Sequence, residues 1–167
     1  MKLTQHGKNL WQITRLFAFN CYLVGEGSGL TLIDTNMNGS QKDILQAAQM
    51  IGLPITRITL THAHGDHVGS LDEVAAQLPD AEVAFSERTA EFLQGKLELR
   101  PNEPQTELRG GFMRRTTQAT RLLHPGDVLG SLRIIAAPGH SPDHIAFYDE
   151  RDGTLIAGDA FQTQAGT

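Results

Sequence analysis

A chain of 167 residues with 40% hydrophobic content is long enough for one packed domain and too short for two of ordinary size. Its formal net charge of −5 argues against a sequence-independent grip on nucleic acid, which depends on neutralising phosphates with Lys and Arg. No apolar run reaches membrane-spanning length, no secretory signal follows MKLTQHGKNLWQ, and the single cysteine, Cys21, can close no internal disulfide; a cytoplasmic protein with neither nucleic-acid nor membrane partners is expected.

Apolar and polar residues alternate over residues 10–16, 19–24 and 30–34, which predicts antiparallel strands with the GEGSG stretch at 25–29 as a turn. From Ser40 the period changes. Ile44, Leu45, Ala48 and Ile51 fall at helical spacing, with Ser40 as N-cap and Gly52 and Pro54 as stop signals. A short β-branched strand at 55–61 then leads straight into His62. Past the polar loop, Val68, Leu71, Val74, Ala75 and Leu78 predict a helix over 68–78, closed by Pro79. Another strand (82–85) and helix (87–93, capped by Ser86) follow. Residues 95–120 are polar and aperiodic, a surface segment with room for some helix at 106–119. Strands resume at 132–136, 145–148 and 154–157, separated by turns at 125–127 and 150–153. Strand–helix units beside antiparallel runs imply α/β layers rather than an all-β barrel.

The segment from Gly95 to Arg121 is locally cationic, with Lys96, Arg100, Arg109, Arg114, Arg115 and Arg121 against Glu98, Glu103 and Glu107. Two readings stay open: a solvated loop, or an electropositive lid for an anionic small molecule in which Arg114 and Arg115 orient the substrate.

The stretch THAHGDH at 61–67 is the densest chemistry in the chain, holding three of its seven histidines and an aspartate. His62 and His64 are two apart, so on an extended backbone their rings point to one side. Gly65 offers freedom at positive φ to turn the chain and present Asp66 and His67 to a second point nearby. One loop can then serve two neighbouring metal ions, and imidazole plus carboxylate without thiolate suits zinc, iron or manganese. The bland alternative, a polar loop that happens to be histidine-rich, does not account for an aspartate among three histidines in six positions. Two further stretches, PGHSPDH at 138–144 and AGDA at 157–160, also follow strands; alone, His140 and Asp159 read equally well as turn residues.

The set HxHxDH, a PGHS-type histidine and a GD aspartate, together with NCYLV at 20–24 and LIDT at 32–35, is similar to the metallo-β-lactamase superfamily. The resemblance implies an αββα sandwich of the α/β (α+β) class over residues 1–167 with a metal site between its sheets. It implies zinc, two ions per site, with iron or manganese as alternatives. His62, His64 and His140 would bind the first ion, Asp66 and His67 the second, and Asp159 would bridge. Asp66 or Asp159 would steer the attacking water and pass its proton on. Asp34 would steady the HxHxDH loop or simply form a turn, His144 would pack behind the ligands, and His124 and His6 would stand apart. The implied activity is hydrolysis of a small ester, lactone, thioester, β-lactam or phosphoester by a metal-activated hydroxide. A mononuclear iron sulfur dioxygenase using His62, His140 and Asp159, and a metal-binding fragment without activity, are the alternatives. Family members continue past the GD aspartate to a last histidine ligand, and no histidine follows His144 here. The expectation is therefore a sandwich lacking its last C-terminal elements, whose uncovered apolar face invites a second copy of the chain or a complementing chain.

Overall fold

The structure, a computed structural model, describes residues 1–161. Strands β1 (Lys2–His6), β2 (Leu10–Arg15), β3 (Phe19–Gly25) and β4 (Leu30–Ile33) form an antiparallel meander. Helix α1 (Gln41–Ile51) then carries the chain back, and β5 (Ile55–Thr59) joins β4 in parallel. Two short helices, α2 (Gly65–Val68) and α3 (Leu71–Gln77), precede β6 (Glu82–Ser86); helix α4 (Glu87–Leu93) and a long connection precede β7 (Arg121–Leu123). Strands β4 to β7 are parallel, and the seven strands lie side by side in chain order. A second, antiparallel sheet holds β8 (Val128–Leu129), β9 (Leu132–Ala136), β10 (Ile145–Asp149) and β11 (Thr154–Ile156) in the order β11-β10-β9-β8.

The pleat explains the layers. In β3, Cys21 and Leu23 point into a core shared with the helices, while Val24 points into a second core facing the other sheet. In β6, Val83 and Phe85 take the helix side and Ala84 the sheet side. Strand β4, covered on both faces, is buried at every position, as a central parallel strand should be. The second sheet contributes Leu132, Ile134, Ile145, Phe147 and Ile156 to the inter-sheet core. Its other face leaves Ile135, Tyr148 and Leu155 exposed, and among the described residues no helix covers them. No described helix is long and apolar enough to cross a membrane.

Several sequence expectations need correction. The helix over 68–78 is broken at Gly69 and Ser70, because the 37–40 loop passes so close that a Cβ on Gly69 would collide with the backbone of Met37 and Asn38. Ser70 fixes that crossing: its hydroxyl donates to the Met37 carbonyl at 2.8 Å and accepts from the Ser40 amide at 2.8 Å. Ser40 makes no side-chain cap on α1; its hydroxyl accepts from Arg15 instead, at 2.9 Å. Ser86 does cap α4, accepting from the Thr89 amide at 3.0 Å. The 106–119 stretch forms no helix and straps the 61–67 loop and α3, the Arg109 carbonyl meeting His64 and the Thr117 amide donating to Asp72. Gly65 opens α2 in helical conformation, so its role is smallness: a Cβ there would lie 2.6 Å from Met113 Sδ.

Candidate metal centre

The chain leaves β5 and enters the 61–67 loop at the carboxyl end of the parallel strands, where α/β folds place their sites. Asp34, just past the end of β4, organises that loop. It sits in the left-handed region at φ 62°, is 1% exposed, and accepts from the Thr61 amide (2.7 Å), the Thr61 hydroxyl (2.8 Å) and His67 Nδ1 (2.8 Å). Three donors on one buried carboxylate give Asp34 the steadying role rather than a plain turn. Thr35 adds a second clamp, its amide and hydroxyl both donating to the His67 carbonyl.

Hydrogen bonding settles which ring nitrogens remain free. A carboxylate only accepts, so His67 carries its proton on Nδ1 and turns Nε2 toward Asp159 Oδ1 (3.5 Å) and Asp66 Oδ2 (3.6 Å). The Thr61 hydroxyl gives its proton to Asp34, so its contact with His62 Nδ1 at 2.9 Å is a donation from the ring. His64 Nε2 donates to the Arg109 carbonyl at 2.9 Å. The remaining nitrogens meet: His62 Nε2 lies 2.9 Å and His140 Nε2 3.0 Å from His64 Nδ1. His62 Nε2 and His64 Nδ1 are left with their lone pairs and His140 Nε2 stands beside them, so the donor set fits a divalent ion of the zinc or iron type.

Electrostatics agree. Burial, then the neighbouring imidazoles, hold His62 far below the usual histidine range, and burial with His140 lowers His64. Both present free lone pairs at neutral pH. A second group, His62, His67 and Asp159, has donor atoms within 4.8 Å of one another. Asp159 divides its oxygens, Oδ1 toward His67 and Oδ2 3.5 Å from His140 Nε2, as a group between two sites must. Its carboxyl is lowered by the His67 hydrogen bond against burial, so it is ionised at neutral pH. For His67 burial opposes charge, but the Asp34 and Asp159 carboxylates outweigh it and raise the ring to about 10, so without a cation Nε2 also carries a proton, which a metal ion bound there would displace. Asp66 reaches only His67 and its side chain is 39% exposed.

The strap supplies partners that sequence reasoning missed. Besides the Arg109 carbonyl, Gly110 lies flat against the His64 ring at φ 89°, where a Cβ would come within 2.5 Å of Nε2. Phe112 packs edge-on to the same ring with centroids 4.7 Å apart, and the Gly65 amide donates to the Gly111 carbonyl at 2.8 Å. The doubled glycine in RGGF was the one signal available. On the other side, Gly158, left-handed at φ 53°, packs against His144 and Thr61, and the Asp159 amide donates to His144 Nε2 at 3.1 Å. Burial keeps His144 neutral, pushing it down to about 4. His124 is 70% exposed beside Asp127, and His6 pairs with Gln12; both stand apart from the cluster as expected.

Arg115 is spent on structure, donating to the Val68 and Gly69 carbonyls and to Asn38, and so closes the end of α2. Arg100 pairs with Glu87 and Glu91. A cleft of about 690 Å³ opens beside His140, walled by Leu99, Leu108, Pro104 and Pro142, and Arg109 lines it. Arg109 pairs with no carboxylate among the described residues.

A sequence model of the metallo-beta-lactamase superfamily matches residues 15–165. The chain belongs to that superfamily. Among its relatives, the uncharacterized protein YobT of Bacillus subtilis is 49% identical over 99% of this chain and 72% of its own length. The atrochrysone carboxyl ACP thioesterase dmxR1 of Cryptosporiopsis sp. is 28% identical over 92% of this chain and 41% of its own. Solved superfamily structures superpose well. BJP-1, a subclass B3 metallo-beta-lactamase of Bradyrhizobium japonicum, gives a TM-score of 0.69 at 27% identity over 88% of this chain and 56% of its own. TTHA1623, solved in a di-iron-bound form, gives 0.67 at 32% identity over 87% of this chain and 68% of its own. The chain thus spans little more than half the length of the solved lactamase and less than half of the thioesterase. Superfamily relatives include hydrolases, and the histidine cluster described above occupies the strand ends of the shared fold.

Proposed function

We propose that this chain is a metal-dependent hydrolase acting on a small ester, thioester, lactone, β-lactam or phosphoester. The observation that carries the reading is the meeting of three imidazole nitrogens, of His62, His64 and His140, at 2.9 and 3.0 Å beside an ionised aspartate. His62, His64 and His140 would hold one divalent cation, and Asp66, His67 and Asp159 a second, with zinc the expected metal and iron or manganese compatible with the same donors. Bound there, a divalent cation would lower the pKa of coordinated water toward neutrality and polarise the carbonyl or phosphoryl group of the substrate, leaving its carbon or phosphorus more electrophilic. Asp159, ionised and half-buried, takes the proton from attacking water at its carboxylate oxygen and passes that proton to the leaving group; Asp66, at the solvent edge, is the alternative carrier of the same proton. Arg109 offers the cleft's unpaired cation to an anionic substituent of the substrate.

A mononuclear iron dioxygenase would draw on His62, His140 and Asp159 of the same cluster, and His64, which converges with them, is the group that such a triad does not use. The test combines metal content per chain with a panel of chromogenic ester, thioester, lactone, β-lactam and phosphodiester substrates. Hydrolysis should vanish on chelation, return with zinc, and fall at least about 100-fold in His62→Ala together with metal content. His124→Ala should match the unmodified chain. A purified chain with no metal, or a hydrolytic rate indifferent to chelation and to His62→Ala, would overturn the reading.

A further inference from the structure

We propose that Asp143 is a positioning residue that fixes the loop bearing His140 against the loop bearing His62 and His64. This rests on the metal reading above and concerns a residue to which that reading gives no role. Asp143 is 2% exposed, and its carboxylate is fully engaged. Oδ2 accepts from the Ala63 amide at 2.8 Å and from the Thr89 hydroxyl at 2.9 Å, and Oδ1 accepts from the Ser141 hydroxyl. Its own carbonyl accepts from the Ser86 hydroxyl at 3.2 Å.

The identity of those partners matters more than their number. Ala63 is the residue between His62 and His64, and Ser141 is the residue after His140. One buried carboxylate therefore joins the peptide linking two of the imidazoles to the neighbour of the third, across 80 positions of sequence. Thr89 and Ser86, at the start of α4, brace it from behind. His140 needs such help. Its side chain is 37% exposed, and its polar contacts are with His64 and Asp159, so its place depends on how its backbone is anchored. The main-chain bonds there, Ala137 to His144 and Ile145 to Thr61, fasten the two ends of the loop. Asp143 fastens its middle. No cation stands among its described partners, and burial pushes the carboxyl above the usual aspartate range, so the fold keeps an acidic group in a buried place on neutral donors alone, an expensive arrangement for packing by itself.

The experiment uses the full chain and cobalt(II), whose absorption reports the geometry of an imidazole site. Affinity is measured by competition against a chelator, and the thermal midpoint of the chelated protein serves as the measure of the fold. Asp143→Ala should weaken cobalt binding by about 10- to 100-fold and alter the absorption spectrum, the range seen when groups that orient metal ligands are removed. Asp143→Asn, which retains an acceptor for the Ala63 amide, should recover most of that loss. Ser141→Ala, which leaves the Ala63 and Thr89 bonds intact, should shift the spectrum with a smaller loss of affinity. Should Asp143→Ala fail to fold, the other two variants decide. A lowered midpoint with unchanged affinity and spectrum would reduce Asp143 to a packing residue and overturn the proposal, while leaving the hydrolase reading in place. Failure of the unmodified chain to bind cobalt would sink both.

Discussion

The two sides of the cluster are built differently. His62, His64 and His67 come on one short loop, none is more than 7% exposed, and each has its second ring nitrogen tied to a hydroxyl, a carbonyl or a carboxylate. His140 and Asp159 come from two separate strand ends of the other sheet; their side chains are 37% and 28% exposed, and they are held chiefly through their backbones. Local sequence can gather ligands cheaply, because closing a short loop costs little entropy. Distant ligands need intermediaries, and here these are Asp143 and His144, which hold other residues in place.

That contrast is sharpest at Asp34, the hub of the buried side. Asp34→Ala strands two donors on Thr61 and one on His67, and should destabilise the chelated protein by roughly 3–5 kcal/mol, the scale for breaking a buried charged network. Urea unfolding checks this, and a loss under about 1 kcal/mol would show that the loop holds itself. Gly110→Ala should cost less, about 1–3 kcal/mol, since it combines an unfavourable φ with a collision against the His64 ring. It should also weaken metal binding, while Gly7→Ala, at φ 64° in open space far from the cluster, should change stability alone. Equal metal affinity in the two variants would remove the strap from the site.

The smallest effect concerns the far end of the strap, where Asp72 accepts from the amides of Thr116 and Thr117 and from the Thr117 hydroxyl. Burial raises the carboxyl, but these bonds outweigh it and leave it below the usual aspartate value of 3.8. A depressed carboxylate stabilises the folded state above its unfolded pKa, and that contribution is lost as pH falls through the folded value. The Thr116 and Thr117 amide resonances should therefore shift toward their free positions only below about pH 3.8, and Asp72→Asn should abolish the step. Pinning that persists at pH 2 would place the anchor elsewhere.

Periodicity made much of the fold legible. Strands whose side chains divide between the two cores, such as β3 and β6, and the one-sided helix α1 stand where the pattern put them. What escaped was set by remote partners. β1, β7 and β8 are short or edge strands with weak alternation, and the break at Gly69 depends on a loop 30 residues earlier in the chain. The same division holds at the site. All six candidate ligands could be named because their spacing is local or their motif familiar, and the structure brings His62, His64, His67, His140 and Asp159 together while leaving Asp66 at the rim. The Arg109 carbonyl, Gly110 and Asp143 left no comparable mark, because a main-chain acceptor has no letter of its own and an aspartate among prolines reads as a turn.

The strict chain order of the seven-stranded sheet has a consequence for how the molecule forms. Each strand's sheet neighbour is also its neighbour along the chain: β1 to β4 close by short turns, whereas β5 to β7 join through crossovers, the last of them the long connection between α4 and β7, so the sheet can grow from its antiparallel edge first. His62, His64 and His67 are in register once β4 and β5 have paired. His140 and Asp159 are added only when the second sheet docks. A cation captured between the two groups would hold that late docking step closed, and stripping it should let amides of β9 to β11 exchange with solvent faster than those of β3 to β6.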